Sequence, residues 1–224
     1  MKKLIIGVFV LLVTIVGLSE RSHALILFDD RAVFLTATGA TSATGPIPNL
    51  GSVGLGPVLI GSVGFDAAAG VVGLGLTFSD FSTLLPGNEL AISGVENFNA
   101  VLTVPVFSLG FDFAEAEQDN SLNGPFVDST FTVNLLSGMS LVDSFSFARP
   151  NDIETFVGVW SDIPFTKVEI REVVGDIGNE LFGEFYTGTS SPSAVPTAST
   201  FLLLVPGLFG LVCFRLKRRK RSSV

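Results

Sequence analysis

In the run Phe107-Ser-Leu-Gly-Phe-Asp-Phe113 every second residue is large and apolar, and the same period returns in Leu141-Val-Asp-Ser-Phe-Ser-Phe147 and Phe165-Thr-Lys-Val-Glu-Ile-Arg-Glu-Val173. Successive side chains of a strand point to opposite faces, so this spacing gathers Phe107, Leu109, Phe111 and Phe113 on one side of a sheet; a helix would scatter them. Strand signals recur over residues 76–81, 89–92, 100–106, 107–113, 130–136, 141–147, 155–160, 165–173 and 181–186. Alternation implies strands buried on one face, and a series this long predicts an all-β fold, an antiparallel β-sandwich or jelly roll. One helix precedes them: Asp29 or Asp30 can cap a short segment carrying Ala32, Val33, Phe34, Leu35 and Ala37, which stops at Gly39. Residues 39–74 are rich in glycine and repeat Gly51-Ser-Val-Gly-Leu as Gly61-Ser-Val-Gly-Phe. The two copies read as equivalent turns or short edge strands, with a loop as the alternative, and are too few for a solenoid.

The two ends are of another kind. Lys2 and Lys3 precede an uncharged apolar stretch over 4–19, and Ser22-His23-Ala24 sets small residues at the −3 and −1 positions of a cut after Ala24. This is the pattern of a signal peptide, with an uncleaved anchor helix as the alternative. At the other end, the apolar residues 201–214 are followed by Arg215-Leu-Lys-Arg-Arg-Lys-Arg221. The stretch is short for a bilayer crossing, but snorkelling of Arg215 and Lys217 extends its reach, and the basic cluster favours a cytoplasmic tip. The expected organisation is a signal peptide over 1–24, a β-sandwich extracytoplasmic domain over 25–186, a Ser/Thr/Pro linker over 187–200, a transmembrane helix over 201–214 and a basic cytoplasmic tail over 215–224.

The segment Gly188-Thr-Ser-Ser-Pro-Ser-Ala-Val-Pro-Thr-Ala-Ser-Thr-Phe-Leu-Leu-Leu-Val-Pro-Gly-Leu-Phe-Gly-Leu, with the basic end after it, resembles the PEP-CTERM sorting signal of Gram-negative bacteria that produce extracellular polysaccharide. That signal joins a Val-Pro-Glu-Pro box, a Leu/Gly-rich transmembrane helix and an Arg-rich end, and is processed by the membrane protease exosortase. Val195 and Pro196 match the first two box positions, whereas Thr197 stands where Glu is usual and Ala198 where the second Pro is usual. Phe28-Asp-Asp-Arg-Ala-Val-Phe-Leu-Thr-Ala-Thr-Gly39 resembles the opening of many such proteins, and residues 156–170 resemble the late strand pair of their β-sandwich. The resemblance implies export across the inner membrane, cleavage after Ala24 by signal peptidase, and a membrane-anchored precursor. An exosortase-like protease would then process it at Val195, Pro196, Thr197 and Ala198, sending it to the outer cell surface or the extracellular matrix. It defines no chemical activity.

The body is strongly acidic. Residues 25–197 hold twenty acidic side chains against Arg31, Arg149, Lys167 and Arg171, a balance near −16 where the whole chain carries −8. Such a field repels nucleic acid. The only histidine is His23 and the only cysteine Cys213, so residues 25–197 have neither, which excludes Ser-His triads, thiol catalysis and His/Cys zinc sites there. A carboxylate pair of the glycosidase kind remains open, but no spacing singles one out, and a noncatalytic protein is the expectation. Hard oxygen ligands suit Ca2+, and Asp112, Glu115, Glu117, Asp119 and Asn120 form a candidate set without EF-hand spacing; a solvated acidic loop is the alternative. Asp176, Asn179 and Glu180 form a smaller second candidate.

Polysaccharide binding would draw on aromatic faces beside polar groups, which singles out Trp160 and Tyr186, the one tryptophan and the one tyrosine. In a strand Trp160 shares a face with Phe156 and Gly158 while Val157 and Val159 take the other, so core packing is its competing use. The leading expectation is a noncatalytic exported surface or matrix protein associated with exopolysaccharide. A calcium-dependent carbohydrate-binding module is the alternative, distinguished by an exposed Trp160 or Tyr186 beside a concave polar face.

Overall fold

The alternating runs become strands of a wholly antiparallel sheet, and two of them are far longer than their sequence signals. The computed structural model describes residues 23–116, 127–175 and 179–191. Its elements are β1 (Leu25–Phe28), α1 (Arg31–Thr38), β2 (Thr41–Ser42), β3 (Gly51–Gly54), β4 (Val58–Ile60), β5 (Val63–Ala67), β6 (Val71–Ser79), β7 (Glu89–Gly94), β8 (Phe98–Glu115), β9 (Thr130–Ser137), β10 (Ser140–Phe147), β11 (Thr155–Val174) and β12 (Glu180–Gly188). The runs 100–106 and 107–113 merge into β8, and 155–160 and 165–173 merge into β11. Pro105 and Pro164 lie where the β8–β11 register breaks, between the pairs Trp160↔Ser108 and Lys167↔Val101. A proline donates no ladder hydrogen bond, so it is tolerated where the ladder is already interrupted.

That break lets both long strands serve two layers. Their early β8 and late β11 halves sit with β9, β10, β4 and β5; their other halves sit with β1, β12, β7, β6 and β3. Strands that switch layers at a bulge give a sandwich-like fold from one continuous sheet. Phenylalanines fill the space between the layers. Phe98 meets Phe182 at 4.8 Å, Phe65 meets Phe185 at 5.0 Å and Phe113 meets Phe131 at 5.6 Å between ring centroids. Leu109, Phe111 and Phe113 enter this core as their period requires, but at the bulge Val106 enters it and Phe107 stays half-buried.

The expectation of strands buried on one face fails for residues 108–115 and 156–161, which are buried throughout. Helix α1 accounts for much of this. Phe34 packs on Phe156 at 5.2 Å and on Phe28 at 5.4 Å, forming a second apolar cluster with Tyr186 on the outer side. The cross-strand pair Gly110 and Gly158 makes the seat: a Cβ at Gly110 would lie 2.4 Å from the Phe156 ring and 3.1 Å from that of Phe34. Both expected helix stops are present. Asp30 accepts a hydrogen bond from Val33 N at 2.9 Å, and Gly39, at φ 65°, donates its N–H to Leu35 O. Asp30→Ala is expected to cost about 1 kcal/mol, seen as a fall of about 2–4 °C in melting temperature.

The two glycine repeats are not equivalent. Gly51–Gly54 is strand β3, whereas Gly61 turns the chain from β4 into β5. The expected membrane-anchored precursor, and the surface localisation that followed from it, are corrected: among the described residues no helix is long and apolar enough to cross a membrane. Helix α1 has eight residues, about 12 Å, against roughly 30 Å of hydrocarbon core. The apolar stretches 4–19 and 201–214, the tail 215–224 and the box Val195, Pro196, Thr197 and Ala198 lie outside the described residues. Ala24 is described, and its carbonyl accepts from Asp162 N at 3.1 Å just before β1 begins.

Candidate functional site

Two of the five residues expected to bind Ca2+ are described; Glu117, Asp119 and Asn120 lie outside the described residues, as does Asp176. Asp112, on the outer side of β8, is 1% exposed and already committed. Arg31 Nε reaches one of its oxygens at 3.1 Å, and Tyr186 OH donates to the other at 3.3 Å. This corrects its reading as a loop ligand: helix α1 covers it and brings a guanidinium to neutralise it. Burial raises the Asp112 carboxyl to about 6, with Arg31 opposing the shift. Burial, with Asp112 beside it, pushes the Tyr186 phenol up to about 12, so that it remains a donor.

The aromatic candidates are corrected on the same grounds. Trp160 is 8% exposed and Tyr186 7%, so neither offers a ring face to a sugar. Trp160 stands in β11 between Ile26 of β1 and Ser108 of β8, while Val157 and Val159 enter the main core as the strand period requires.

Glu115 belongs to a different assembly. It ends β8, pairs across the sheet with Glu180 at the start of β12, and accepts from Ser129 N at 2.7 Å. The first calcium candidate and the second, Asn179 and Glu180, therefore meet at one end of the sheet. Glu96, in the β7–β8 turn, and Glu172, near the end of β11, join Glu180 there: one carboxylate oxygen from each lies within 4.8 Å of the others. This all-oxygen set can hold a divalent cation. Glu180 accepts from Ser129 Oγ and from Asn179 N at 3.1 Å, and Glu172 accepts from Glu96 N at 2.9 Å. Glu96 is 0% exposed; among the described residues no N–H or hydroxyl donates to its carboxylate oxygens, and the side chains within hydrogen-bonding reach are those of Glu172 and Glu180. Burial, with Glu172 and Glu180 adding to it, pushes Glu96 up to about 12; burial also lifts Glu180 to about 7. Glu96 and Glu172 were missed because nothing in their local sequence differs from an ordinary solvated acid.

A cleft of about 370 Å³ opens elsewhere, where Phe28 and Asp29 at the end of β1 face Phe145 and Ser146 of β10 and Arg149 beyond it. Val157 and Gly158 of β11 also line it. Phe28 and Phe145 are half-buried, while Asp29 and Ser146 are exposed. Arg149 Nη2 donates to Phe156 O at 3.0 Å, and its Nε is buried without a partner. Burial lowers the Arg149 pKa from its ordinary value, with Asp29 opposing the shift. The signal available in the sequence was Arg149 itself, one of four basic residues in a strongly acidic body.

No family model matches the chain, and no curated protein matches it. Among solved structures, one that is similar is the C-terminal family 22 carbohydrate binding module of Clostridium thermocellum Xyn10B, at 12% identity over 61% of this chain and 97% of that one, with a TM-score of 0.25. At that score the likeness carries nothing about fold or ligand.

Proposed function

We propose that this chain is a noncatalytic binding domain for a neutral carbohydrate, taken in the cleft between β1 and β10. The observation that carries the reading is the pairing of half-buried rings, Phe28 and Phe145, with Asp29, Ser146 and Arg149 around one concavity. A sugar presents apolar C–H faces beside hydroxyls that both donate and accept. Rings suit the first; a carboxylate acceptor and a guanidinium donor suit the second. The volume falls within the range of about 300–1,000 Å³ usual for small-ligand sites. Asp29 and Arg149 offset one another at the cleft, and the acidic body disfavours an anionic polymer.

Titration calorimetry of the full chain against neutral xylo-, cello- and manno-oligosaccharides tests this. At least one series is expected to bind, and Arg149→Gln and Phe145→Ala are each expected to weaken that binding about tenfold, or ~1.4 kcal/mol. Absence of binding in all three series, or affinity unchanged in both variants, would reject the cleft as the site.

A further inference from the structure

We propose that Glu96, Glu172 and Glu180 bind one Ca2+ that ties together the β7–β8 turn, the end of β11 and the start of β12. None of the three residues lines the cleft, so the site stands independently of the carbohydrate reading. A cluster of acids alone means little, since exposed acids gather commonly. Here the cluster is largely internal, with Glu96 0% and Glu180 1% exposed, and the Glu96 carboxylate faces the other two while no N–H or hydroxyl among the described residues donates to either of its oxygens. A buried carboxylate without a donor is costly, and two neighbouring carboxylates increase the cost. Either a proton or a cation must answer it.

The geometry favours the cation. Oxygens that all lie within 4.8 Å of one another fit around an ion held at about 2.3–2.6 Å from each ligand. Glu172 and Glu180 are held in place by Glu96 N, Ser129 Oγ and Asn179 N, so their carboxylates are positioned before an ion arrives. Half-buried Glu172 leaves a route of entry. The donors are hard oxygens with no imidazole or thiolate among them, which suits Ca2+ over transition metals.

The full chain, stripped with EDTA, is to be titrated with CaCl2 by calorimetry and melted with and without Ca2+. One Ca2+ per chain is expected, with a rise in melting temperature of about 5–10 °C at 100 times the dissociation constant. Glu96→Gln removes the buried charge while keeping the shape. It is expected to melt in EDTA no lower than the wild type and to lose the Ca2+ response. Glu172→Gln, at the more open position, is expected to bind Ca2+ at least tenfold more weakly, and gives the same reading should Glu96→Gln not fold. A wild type indifferent to Ca2+ would assign the cluster to a shared proton and overturn the proposal. A Ca2+ response that survives in the variants would place the ion elsewhere and overturn it equally.

Discussion

Phe182→Ala is expected to lower the stability of the folded body by about 4–5 kcal/mol, the upper part of the range for truncating a buried aromatic. Phe182 is 0% exposed and lies at the meeting point of the two layers, with Phe98, Phe111, Phe113 and Phe131 at centroid distances of 4.8, 5.7, 5.3 and 5.8 Å. Removing the ring forfeits its transfer out of water and leaves four rings facing a void. Those rings sit on two strands, β8 and β9, held by ladder bonds, so the cavity collapses little. For a body of this size the expected fall in melting temperature is about 10–15 °C. Phe182→Leu refills part of the volume and is expected to recover about half. A loss below 2 kcal/mol for the alanine variant would mean that the two layers do not meet at this residue.

Arg31→Met is expected to cost about 2–3 kcal/mol at pH 8. That is less than the roughly 3–5 for breaking a fully buried pair, because the Arg31 side chain is 36% exposed. The cost arises at Asp112, which is buried and loses the Arg31 cation, while Tyr186 OH remains. Its sign with pH follows from the raised carboxyl of Asp112, at about 6 in the folded protein against about 3.9 for an unfolded Asp. A raised carboxyl means that the folded state holds its proton longer. The associated stability is therefore fully present below about pH 4 and is lost as pH rises through about 6. Without Arg31, which opposes the shift, the loss runs to higher pH. Urea denaturation at pH 4 and pH 8 is expected to show the Arg31→Met penalty mainly at pH 8, and Asp112→Asn in the same chain is expected to remove most of it. A penalty equal at both pH values would mean that Arg31 holds helix α1 through packing instead.

The local features of the chain were legible in its sequence because they are local. A two-residue period states which side chains share a face, so Leu109, Phe111 and Phe113, and Val157 with Val159, could be assigned to the core. Asp30 and Gly39 bound α1 through bonds that span three or four residues, and composition excluded imidazole and thiol chemistry from the body without reference to any fold. The period does not say what covers the other face. The docking of Phe34 onto Gly110 and Gly158 buried much of the second side of β8 and β11, and with it turned Asp112 and Tyr186 from exposed candidates into a buried polar network.

The sites themselves depend on which distant strands become neighbours. Glu96, Glu172 and Glu180 come from a turn and the ends of two strands, and Phe28 lines one cleft with Phe145 and Arg149, which are more than a hundred residues away in sequence. Hydrophobic periodicity is nearly blind to such pairings, since many registers would bury the same phenylalanines. Thus sequence alone determined an acidic all-β chain, its helix caps and its core faces. The tertiary structure decided which carboxylates converge and which rings line the cleft, because long-range pairing, not local pattern, sets those distances.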